Sequence, residues 1–167
     1  MLEIFDYDRT KAVDYAHKWV FGRNPAFYDF SPIGGDCTNF ASQVIFAGTG
    51  IMNYTPVYGW FYINTNDRSA SWTGVQYLYN FITTNKGVGP FGAEVPLYQA
   101  EPGDIIQLAI DKDIFHHSPV VVKINGRPTP DNILIAAHSY DADMRPLSSY
   151  RFRRLRVIHI EGYRKNV

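Results

Sequence analysis

The sequence predicts an α+β fold in which N-terminal helices pack on a C-terminal antiparallel sheet of four or more strands. Three observations predict it. In the first half, apolar residues recur three and four positions apart, the period of an amphipathic helix. In the second half they fall in short β-rich runs separated by turn residues. No repeat, low-complexity tract or Ser/Pro/Gly linker divides the two halves, so residues 1–167 are expected to form a single domain around one core.

The elements follow in order. A helix opens near Asp8 and places Ala12, Val13, Ala16, Trp19 and Val20 on one face. After an irregular aromatic segment with Phe27, Tyr28 and Phe30, the turn Gly34-Gly35 leads to Asp36, a good capping residue for a helix over residues 37–47. There Cys37 shares its face with Phe40, Ala41, Val44 and Ile45. Residues 48–71 lack a sustained period and are expected to form a long ordered loop, one wall of a groove. A third helix is predicted over residues 72–83, with Val75, Leu78, Tyr79 and Ile82 on its apolar face and residues 87–90 ending it. Strands are predicted at residues 104–110, 115–124, 132–139 and 155–163.

Composition removes several function classes. With 46% hydrophobic and 19% charged residues the chain is not a disordered polymer. Lys+Arg and Asp+Glu both number 16, so no net field draws the protein to nucleic acid or an anionic membrane, and no nucleic-acid partner is expected. No run approaches the roughly 18 apolar residues of a membrane span, and the acidic N-terminus does not look like an export signal. The single cysteine excludes an internal disulfide and a multi-thiolate zinc site.

Cys37 is therefore either an inert buried thiol or a reactive one. At the first turn of a helix, unpaired N–H groups and the positive end of the macrodipole favour a thiolate and can hold an oxyanion. Those are the nucleophilic and electrophilic halves of an acyl-transfer site. Of five histidines, His117 opens one predicted strand and His138 closes the next. Antiparallel pairing would bring them together as a base and the group that orients it. His116 competes with His117, but neighbours on a strand face opposite ways, so one of them can look at the thiol. His17 and His159 are expected to be structural. Asp141 and Asp143 are expected in a turn or behind His138, and the four arginines of residues 151–156 on a solvated strand face. No His-Glu-x-x-His pattern is present, so no metal and no cofactor are expected. The substrate contacts expected are Asp36, Tyr28, Trp60 and Trp72, with Tyr58 and Tyr62 as further rings of the groove.

The run Gly34-Gly35-Asp36-Cys37-Thr38-Asn39-Phe40-Ala41-Ser42-Gln43 resembles the nucleophile motif of the bacterial putative amidase domains related to the NlpC/P60 and CHAP hydrolases. Residues 7–16, 23–25, 71–74, Pro102-Gly103-Asp104, His117-Ser118 and Ala137-His138-Ser139 extend the resemblance over nearly the whole chain. It implies a papain-like NlpC/P60-type fold, with Cys37 as nucleophile, His117 as base and His138 as the third polar residue. It also implies cleavage of an amide, peptide or isopeptide bond in a peptide or peptidoglycan-like substrate at the cell wall. The same residues would serve an acyltransferase or transpeptidase, and a dead site on this fold would leave a wall-binding module.

Overall fold

The computed structural model describes residues 1–167. In chain order the elements are β1 (Leu2–Phe5), α1 (Arg9–Trp19), α2 (Cys37–Thr49), β2 (Tyr62–Asn64), β3 (Asp67–Arg68), α3 (Ala70–Thr73) and α4 (Val75–Thr84), followed by β4 (Gly89–Val95), β5 (Ile105–Ala109), β6 (Val120–Ile124), β7 (Ile133–Ala137), β8 (Ala142–Pro146) and β9 (Arg154–Asn166). The class is α+β, as the sequence predicts. No helix is long and apolar enough to cross a membrane.

Seven strands form one antiparallel sheet in the order β1-β9-β5-β6-β7-β8, with β4 also on β9. The 13-residue β9 is the seam. Val157 and Ile158 pair with both β4 and β5, and Tyr163 and Arg164 pair with both β4 and β1. Since a strand has two hydrogen-bonding edges, β5 and β1 lie end to end along one edge and β4 occupies the other.

Both faces of the sheet are covered, which explains why β5 to β7 are apolar on both faces apart from Gln107 and Lys123. Ile105, Val120, Val122, Ala136, Ile158 and Ile160 meet the helices, packing with Ala12 and Ala16 of α1 and with Phe40, Ala41, Val44 and Ile45 of α2. Their alternate neighbours Ile106, Leu108, Val121, Ile135 and Val157 form a smaller core on the other face. Asp8 caps α1 by accepting from the Lys11 N–H at 3.0 Å. Gly50 ends α2 in the left-handed region, φ 68°, with its N–H on the Phe46 carbonyl.

Four sequence expectations change. The third helix is two, α3 and α4, because the chain turns extended at Gly74 (ψ 128°). The expected loop over residues 48–71 carries β2 and β3 and folds Trp60, Phe61 and Tyr62 into the core, while Val57, Tyr58 and Gly59 line a groove against α4 that is separate from the Cys37 cleft. The segment before Val120 pairs through one bridge, Leu108 with His117, and is otherwise irregular. Strands β1, β4 and β8 were not expected. Gly89 and Gly92 in β4 mimic a loop, yet Gly92 serves close approach: a Cβ there would meet the His159 carbonyl oxygen at 2.0 Å.

The turn Pro102-Gly103-Asp104 locks this frame. Gly103 has φ +92°, lies against the Tyr7 ring, and accepts the Tyr7 hydroxyl on its carbonyl at 3.0 Å. Asp104 is fully buried and accepts from Arg9 (2.9 Å), His159 Nδ1 (2.8 Å) and the backbone N–H groups of Glu101 (2.9 Å) and Ile160 (3.0 Å). One carboxylate thus ties α1 to β5 and β9. The hydrogen bond to Asp104 raises the His159 pKa above its ordinary value. A base whose folded pKa is raised adds stability below about pH 6.5, its unfolded value, and that stability fades as pH rises through the folded pKa. The urea stability gap between wild type and His159→Gln is therefore expected to be larger at pH 5.5 than at pH 8.5; an equal gap at both would show that the pair is not linked to folding.

Candidate active site

Cys37 begins α2, and its sulfur sits beside residues 116–118: the thiol points at the His116 carbonyl at 3.9 Å and lies 3.7 Å from the Thr38 hydroxyl. α2 is held in that position by Thr38 Oγ1 against Ser118 Oγ (3.1 Å), with Gln107 Nε2 also on Ser118 (3.2 Å). The sulfur faces a cleft of about 340 Å³ lined by residues that include Gly35, Cys37, His117, Ser139, Arg145 and Tyr150.

Asp36 stands at the capping position but makes no cap hydrogen bond. Its carboxylate is drawn the other way. Oδ1 accepts from the Phe30 N–H (2.8 Å) and from Asn39 Nδ2 (2.8 Å), and Oδ2 accepts from His138 Nδ1 at 2.6 Å. The first-turn N–H groups of α2, which have no intrahelical partner, are thereby left without the usual side-chain acceptor. With Asp36 at 1% exposure, the expected substrate contact is corrected to a buried structural one.

His138 does not orient His117. Its ring stacks on Phe40 at 4.1 Å, Nδ1 is taken by Asp36, and Nε2 lies 3.2 Å from the Trp19 carbonyl and 3.0 Å from Arg23 Nη1. The expected pairing of β6 with β7 forms, Val120 opposite Ala136, but the side chains diverge. His138 has the parity of Ala136, which packs with the helices. His117 is bridged to Leu108 and shares the opposite face. Asp141 also misses His138; it forms a two-pronged pair with Arg23, at 3.0 and 3.1 Å, while Asp143 holds His17 at 2.8 Å.

His116 and His117 both line the cleft, and His117 is the one whose ring is free. Its imidazole makes no hydrogen bond within the chain and lies 5.5 Å, ring to ring, from Tyr150. His116 is committed elsewhere: its Nε2 accepts the Ile110 N–H at 3.1 Å and lies 3.2 Å from Asp111. Burial, reinforced by the charges of His116 and Arg145, pushes the His117 pKa down to about 4. Burial likewise pushes the Cys37 thiol up, against the hydrogen bonds of Thr38 and of the Ser118 N–H. The sequence expectation of a thiolate at the helix terminus is thus reversed: the resting pair is a neutral thiol and a neutral imidazole.

The expected aromatic contacts also move. Trp60 and Trp72 are fully buried; Trp72 Nε1 donates to Asn39 Oδ1 (2.9 Å) and Trp60 Nε1 to Ser42 Oγ (3.1 Å), so both brace α2 from behind. Tyr62 is buried with them, and Tyr58, though exposed, does not line the cleft. Tyr28 is not in the cleft; its backbone N–H donates to Tyr62 Oη and its carbonyl accepts from Asn39. Arg156, expected on a solvated face, is 9% exposed, sits over the rings of Tyr79 and Phe115 and donates to Gln107. Arg145, Tyr150 and Ser139 were missed. Arg145 lies on the unexpected β8, and no spacing in the sequence ties it to Cys37.

The two histidines therefore differ in kind. His138→Ala strands a buried carboxylate and is expected to cost about 3 kcal/mol in urea unfolding, whereas the unbonded His117→Ala should cost under about 1 kcal/mol. Equal losses would contradict this division.

A family model described as "Putative amidase domain" matches residues 6–160. The chain is 33% identical over 144 residues to the "Uncharacterized protein YhbB" of Bacillus subtilis (strain 168), covering 84% of this chain and 44% of that protein. It thus spans less than half the length of that relative. No solved structure matches the chain.

Proposed function

The chain belongs to the family of putative amidase domains, hydrolases of amide bonds at the coarsest level, and we propose that Cys37 and His117 carry that reaction through a thioester. The observation that carries this reading is the shared cleft: the chain's one thiol and the one cleft histidine with no hydrogen-bond partner line the same cavity, and the helix terminus beneath the thiol is uncapped.

The neutral pair sets the order of events. As the sulfur attacks the amide carbonyl, neutral His117 takes the thiol proton, the S–C bond forms and the carbonyl π electrons move onto oxygen. The Cys37 N–H and its first-turn neighbours stabilise that oxyanion. The imidazolium then passes its proton to the departing nitrogen as the C–N bond breaks. Water attacks the thioester with His117 again as base, releasing the carboxylic acid and returning the proton to sulfur. Substrate closes the contact between the two residues, as catalytic hydrogen bonds open in a free enzyme often tighten on binding. Asp36 and His138 serve this scheme as the clamp on α2.

As substrate we propose an amide or isopeptide bond of peptidoglycan, on the likeness of the Cys37 and His117 motifs to those of the NlpC/P60 and CHAP hydrolases. The test is release of new amine and carboxyl termini from purified bacterial peptidoglycan and from a panel of peptide amides, read by mass spectrometry. Cys37→Ala is expected to abolish release, and His117→Gln to reduce it by about 10²- to 10⁴-fold. Because His117 must be neutral to act, kcat/KM is expected to hold down to about pH 5 and to fall with a midpoint near 4. Full activity in Cys37→Ala, or an acid limb near 6.5, would contradict the mechanism.

A further inference from the structure

Two side chains of the cleft have no part in the scheme above. Arg145 pairs with no Asp or Glu. Its Nε donates to Ser149 Oγ (2.7 Å), its Nη2 to the Ser149 carbonyl (3.4 Å), and Nη1 bonds nothing in the chain. The guanidinium carbon lies over the Tyr150 ring, 3.6 Å from its centre. Tyr150 supplies the second observation: its hydroxyl is buried and, beyond the Arg145 guanidinium packed on its ring, has no hydrogen-bond partner. A buried hydroxyl without a partner is uncommon, because desolvation is then uncompensated, and it points to a group that arrives from outside. Both residues line the cavity with Cys37, and no Asp or Glu does.

We propose that Arg145 and Tyr150 form a carboxylate subsite and that the amide attacked by Cys37 carries a free carboxylate near the scissile bond. A carboxylate only accepts hydrogen bonds, and a guanidinium with spare N–H groups beside an O–H donor is its complement. The cation–π contact with the ring and the bonds to Ser149 hold Arg145 in place before binding. The charge of Arg145 is one of the causes that hold His117 weakly basic. A bound carboxylate offsets that charge and returns basicity to His117 when substrate is present.

The inference rests on the reading that Cys37 is the reacting atom, and one pair of reagents separates the two. Iodoacetamide and iodoacetate alkylate a thiol by the same step: sulfur displaces iodide, an S–CH₂ bond forms, and the thiol proton is lost. They differ in carrying an amide or a carboxylate. With one cysteine in the chain, intact mass reports each rate directly. The ratio of the iodoacetate to the iodoacetamide rate cancels whatever a substitution does to the thiol itself. In the folded wild type this ratio is expected to be about tenfold above that of the same chain unfolded in urea. Arg145→Gln should bring it down to the unfolded value, Arg145→Lys should keep part of it, and Tyr150→Phe, which removes only the hydroxyl, should lower it part of the way. A wild-type ratio equal to the unfolded one, or ratios in Arg145→Gln and Tyr150→Phe within twofold of wild type, would overturn the subsite while leaving the nucleophile standing. A folded Cys37 inert to both reagents even in alkaline buffer, where the raised thiol ionises, would overturn the hydrolase reading and the subsite with it.

Discussion

The hydrogen bond between Asp36 and His138 is the constraint on which the cleft depends. At 2.6 Å, between side chains 1% and 2% exposed, it joins the start of α2 to the end of β7. Removing either partner leaves a buried polar group uncompensated, so the bond fixes position more firmly than its net energy suggests. The other Asp36 oxygen holds the Phe30 N–H and Asn39, and Asn39 in turn holds the Trp72 indole. Through this chain of contacts the aromatic core behind α2 determines where Cys37 begins. The same commitment keeps the carboxylate off the helix terminus. A residue type that ordinarily caps a helix here leaves the first turn open toward the cleft.

Charge is arranged to the same end. Arg23 collects Asp29, Asp36 and Asp141 on the far side of His138, and Asp104 collects Arg9 and His159 at the sheet seam, so most ionised groups of the interior are paired away from the thiol. The cleft keeps a single formal cation and no anion. That imbalance is what a neutral molecule of 16 basic and 16 acidic residues conceals in its total.

Much of the fold was legible because periodicity survives where burial is one-sided. α1 and α2 each present an apolar stripe, and both were found with starts within a residue. Strands β5, β6, β7 and β9 carry enough β-branched residues to stand out. Strand β1 and strand β8, at the sheet edges, and the glycine-bearing β4 lack such a signal, since their pairing partner and not their own composition makes them strands. At the site, Cys37 at a helix start could be read locally. The role of His138 could not: two residues that close and open paired strands meet at one end of a sheet, but whether their side chains share a face depends on the register and on the irregular segment from His117 to Val120. Likewise Trp60 and Trp72 have the composition of a groove and the burial of a core, and only their hydrogen bonds to Ser42 and Asn39 distinguish the two.

The raised thiol has a meaning for the chemical survival of the protein. Peroxide oxidises thiolates far faster than thiols, so enzymes that rest as thiolate–imidazolium pairs are readily driven to sulfenic and then irreversible sulfinic acid. A sulfur that burial keeps protonated stays in the form that peroxide attacks slowly. With no second cysteine to resolve a sulfenic acid into a disulfide, that protection lies in the packing around Cys37 itself.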